Sequence, residues 1–105
     1  MAGEFGPKVR IVSFPGAEVR TRRNDVVVDS EGPILRPPET NVLGPKAVPD
    51  ITSSLEQSLG GKPGTAPIRF GVFGTQFDLG DYQQLVDAAD MMDLKIEFHL
   101  FKTDL

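Results

Sequence analysis

The stretch "IRFGVFGTQFDLGDYQQLVDAADMMDLKIEFHLF", Ile68–Phe101, decides the fold. It opens with Ile68, Phe70 and Val72 alternating against Arg69, Gly71 and Phe73, the period-two pattern of a strand packed mainly on one side. A helix follows from Asp78 or Gly80, because Tyr82, Leu85, Val86, Ala89 and Met92 recur at spacings of three, four, seven and ten. Leu94, Ile96, Phe98 and Leu100 then alternate with Lys95, Glu97, His99 and Phe101, the clearest strand in the chain. Strand, helix and strand in so short a span predict a parallel pair joined by a right-handed crossover.

Outward from this unit the pattern continues. "KVRIVSF" at Lys8–Phe14 reads as a strand ending at Pro15-Gly16, and the β-branched run "DVVVD" at Asp25–Asp29 as a second, closed by "SEGP". Five prolines between Pro33 and Pro49 remove backbone donors, so 33–49 is predicted as a long Pro-rich loop with at most a brief strand at Ile34–Arg36. Asp50 suits a helix cap, Ile51, Leu55 and Leu59 share a face, and Gly60-Gly61 supplies a stop. The expected fold class is therefore α/β (α+β): a two-layer sandwich, with a small mixed sheet and two helices on one face. One-sided cover follows from the alternation, since strands covered on both faces read as continuous apolar runs.

Composition bounds the function. A chain of 105 residues holds one small core, and 39 % hydrophobic with 25 % charged residues is the balance of a folded chain. The leading "MAGEFG", residues 1–6, reads as a vector-derived leader, leaving 7–105 as a single α/β domain. A net charge of -4, with no basic run longer than Arg20–Arg23, disfavours nucleic acid. With no cysteine there are no disulfides or thiolate metal sites, and no apolar run is long enough to cross a bilayer.

No catalytic constellation emerges, and no cofactor or metal is expected. On a helical projection Asp87 and Asp90 fall on the solvent flank of the apolar stripe, where nothing pushes the pKa values of a carboxylate pair apart. Asp78 and Asp81 suit a helix amino terminus. His99, the sole histidine, is expected exposed beside Lys95 and Glu97, without nucleophile or ligand partners. "GVFGTQFDLG" occupies the place of a phosphate loop but lacks its glycine pattern and its Gly-Lys-Ser/Thr ending. Met91 and Phe101 point away from their apolar faces; with Val9 and Ile11 on a first strand taken as an edge, they form the expected partner surface.

The order of elements and one local pattern resemble a known family. Tyr82 followed by Leu85, Val86, Ala89 and Asp90, leading into "LKIEFHLF", is similar to the tyrosine-led helix and last strand of the periplasmic domain of ExbD/TolR biopolymer-transport proteins. "VRIVSFPGAE", "DVVVDSEGPI" and "SSLEQSLGGKPGTAPIRF" resemble that family's earlier segments, so the likeness spans Lys8–Phe101. It implies a non-enzymatic domain on the periplasmic face of a bacterial inner membrane, part of a proton-motive-force-driven complex. The implied partners are a second copy, an ExbB/TolQ-like channel subunit and a TonB/TolA-like effector. Membrane attachment would come through a helix outside this chain, and that helix carries the family's proton-binding aspartate, so none of the aspartates here inherits the role. The alternative is a soluble α/β interaction or regulatory module unrelated to transport.

Overall fold

The computed structural model describes residues 9–32, 41–42, 44–59 and 68–102. Among these, seven strands and two helices follow one another: β1 (Val9–Val12), β2 (Glu18–Arg20), β3 (Val26–Asp29), β4 (Asn41–Val42), α1 (Val48–Leu59), β5 (Ile68–Phe73), β6 (Gln76–Asp78), α2 (Gln83–Met91) and β7 (Ile96–Phe101). Short 3-10 turns at Pro45–Ala47 and Leu79–Tyr82 lead into the two helices. The main sheet has the order β3-β1-β7-β5-β4, and β2 pairs with β6 in a separate ribbon.

The two-layer α/β architecture stands as the sequence implies, but among the described strands the sheet is not mixed. Every ladder is parallel, because each return to the sheet runs through a crossover that restores the strand direction. The expected pair of β5 with β7 holds over its full length, from Ile68↔Ile96 to Phe73↔Phe101.

Partners in register share a face, so Val9, Ile96 and Ile68 form one row and Ile11, Phe98 and Phe70 the next. Helices α1 and α2 pack against each other and onto this face, burying Val48 of α1 and Leu85, Val86 and Ala89 of α2. Phe98 is fully buried at the centre, with the rings of Phe70, Phe77 and Tyr82 at 6.0, 5.2 and 5.2 Å. Phe77 and Tyr82 stack at 5.1 Å. The tyrosine of the predicted stripe is thus a core residue, and burial followed by the nearby Asp81 charge pushes its hydroxyl up to about 12.

Local chemistry sets the ends of the helices. Asp78 accepts from the Gly80 N–H at 2.9 Å and caps the 3-10 turn, where the sequence reading starts the helix, while regular α geometry begins at Gln83. At the other end Asp93 lies at φ 56; its N–H donates to the Asp90 carbonyl and that of Leu94 to the Ala89 carbonyl, a Schellman closure with aspartate in the usual glycine position. Helix α1 begins at Val48, earlier than the capping reading of Asp50 allows. Pro49 sits in the first turn, where its missing N–H costs no hydrogen bond. The proposed 33–49 loop therefore contains β4, a 3-10 turn and the start of α1, and its suggested strand at Ile34–Arg36 lies outside the described residues.

Candidate functional site

Three places gather polar or exposed groups. The first is the helix-free face of the sheet. Arg10 of β1, Glu97 of β7 and Arg69 of β5 are register partners, so three adjacent strands carry alternating charge across one level. Arg69 Nε donates to Glu97 Oε1 at 3.2 Å, Arg10 Nη1 lies 3.6 Å from Glu97 Oε2, and Arg10 Nη2 donates to Asp29 Oδ2 of β3 at 2.9 Å. One level further on, His99 Nε2 lies 3.0 Å from Glu97 Oε1.

His99 is therefore not the exposed strand histidine that its polar neighbours suggest. It is 3 % exposed and Glu97 9 %, on β7, the middle strand between β1 and β5. Burial alone would raise the Glu97 carboxyl, but the hydrogen bonds from His99 and then Arg69 outweigh it and hold it below its ordinary value. With Glu97 ionised, His99 Nε2 carries the hydrogen and donates it. The other ring nitrogen, Nδ1, is buried and has no hydrogen-bond partner among the described residues. Its register neighbours, Val12 and Gly71, have no polar side chain to offer. A carboxylate and an imidazole at 3.0 Å could move a proton, yet no nucleophile accompanies them among the residues of this face that the structure describes.

The second place is an open depression of about 270 Å³ over the β2–β6 ribbon, lined by Glu18, Arg20, Gln76, Phe77, Asp78 and Asp81. The register pairs Glu18 with Gln76 and Arg20 with Asp78, while Val19 and Phe77 turn inward to the core. Neither strand is legible in the sequence, since each is three residues long with one apolar side chain. Among the described residues no group of three or more His, Cys, Asp or Glu is placed to hold a metal ion.

The third is the β3 edge. Val27 and Val28 are 43 % and 44 % exposed, on opposite faces of the strand. Because the Asp29 carbonyl accepts from Ser13 N–H, the backbone groups of Val27 and Asp29 point toward β1 and those of Val26 and Val28 away from it, to the side where no described strand pairs.

The partner surface inferred from sequence is corrected in three of its four residues. Val9 and Ile11 are 1 % and 0 % exposed, since β1 is an inner strand between β3 and β7 and not an edge. Phe101 is 7 % exposed, with the Phe73 ring 5.6 Å away, and it is Phe73, at 49 %, that stands out. Met91 is exposed at 86 %, as its place off the apolar stripe implies. Asp87 is exposed and accepts from Gln83 Nε2 at 2.7 Å, while Asp90 is half-buried and paired with Arg23 at 3.0 Å. Asp90 ties α2 to the segment ahead of β3, where Arg23 also holds Asp25.

No family model, curated protein or solved structure matches the chain.

Proposed function

We propose that this chain is a non-enzymatic domain of an envelope energy-transduction or transport complex, working on the periplasmic side through self-pairing and contacts with a channel-type and an effector-type subunit. The reading rests on the resemblance carried by the tyrosine-led helix and last strand, and a shared fold alone would not specify it. The observation that favours action through contacts is the β3 edge, with Val27 and Val28 exposed on both faces beside outward-pointing backbone groups. Such an edge accepts an added strand without rearrangement of the core. This moves the proposed pairing segment from β1 to β3. Deletion of Lys8–Phe14, which an edge role for β1 would tolerate, removes an inner strand and should unfold the sheet.

The attachment expected from the resemblance is a membrane helix elsewhere in the protein, and no helix of the described residues is long and apolar enough to cross a membrane. The test has two arms. Sedimentation at high micromolar concentration should show concentration-dependent association that Val28→Glu abolishes while thermal unfolding stays unchanged. A photo-crosslinker at Val28, used in the producing cell, should capture a multi-span membrane subunit. A chain that stays monomeric and crosslinks to no membrane protein would overturn this reading in favour of an unrelated soluble interaction module.

A further inference from the structure

We draw no further inference here: the strongest candidate, the buried Glu97–His99 pair on the helix-free face of the sheet with its unpartnered Nδ1, carries nothing because the described residues do not show what covers that face.

Discussion

Replacing Glu97 by Ala tests whether the helix-free face is an interior or a wet surface. Two of the partners it would abandon, Arg10 and Arg69, keep side chains 38 % and 51 % exposed, so each can hydrate and each loss is about 0–1 kcal/mol. His99 cannot hydrate, because its side chain is 4 % exposed and Glu97 Oε1 is the acceptor at Nε2. A buried donor left without an acceptor costs about 1–3 kcal/mol, so the His99 loss exceeds either arginine loss. The expected destabilisation is about 1–5 kcal/mol in urea unfolding at pH 7, against the roughly 5–15 kcal/mol typical of a domain. A double-mutant cycle with His99→Ala should isolate a coupling of about 1–3 kcal/mol. If Glu97→Ala shifts stability by about 0.5 kcal/mol or less, as an exposed substitution would, the pair is solvated and the burial argument fails.

Glu97 also predicts an acid limb. Its folded carboxyl lies below the ordinary value of 4.5, so its contribution is fully present above that value and disappears as pH falls through the lower folded value; Glu97→Gln should flatten that limb in stability measured against pH. Asp87→Asn should leave urea stability within about 0.5 kcal/mol, whereas Asp90→Asn should cost up to about 1 kcal/mol by loosening the Arg23 tie. Gly16 has φ 95 with open space where a Cβ would stand, so Gly16→Ala should cost about 1 kcal/mol from backbone strain alone in thermal unfolding; a neutral result would mean the turn relaxes.

The helix and last strand were legible because their periodicity is strict: Leu85, Val86 and Ala89 are buried where the stripe put them, and Ile96, Phe98 and Leu100 where the alternation did. The same alternation misled on Glu97 and His99. Polarity on the second face implies water, but Glu97 and His99 are buried on the middle strand of the sheet, and strand order is a long-range fact that no local pattern encodes. Arg10, Glu97 and Arg69 are scattered in sequence and meet through register alone. For a similar reason Val9 and Ile11 read as an edge, since nothing in "KVRIVSF" tells a strand with one neighbour from a strand with two. Helix α1 begins two residues ahead of the Asp50 cap that the sequence suggests, because Pro49, which reads as a helix breaker, serves as a first-turn residue.

The central position of β7 constrains how the molecule assembles. It follows every other strand in sequence yet bridges β1 and β5, joining Val9 to Ile96. Until it inserts, β3 with β1 and β4 with β5 are two parallel pairs joined by no ladder within the main sheet, and only the short β2–β6 ribbon ties the first half of the chain to the second by backbone hydrogen bonds. Closure therefore waits on the most distant pairing in the chain, and such non-local contacts slow folding because loop entropy is lost before they form. A ribosome-bound chain stalled before Ile96 would expose both unjoined edges to chaperones or to other nascent chains, so the interval before synthesis of Phe101 is when this protein is most open to aggregation.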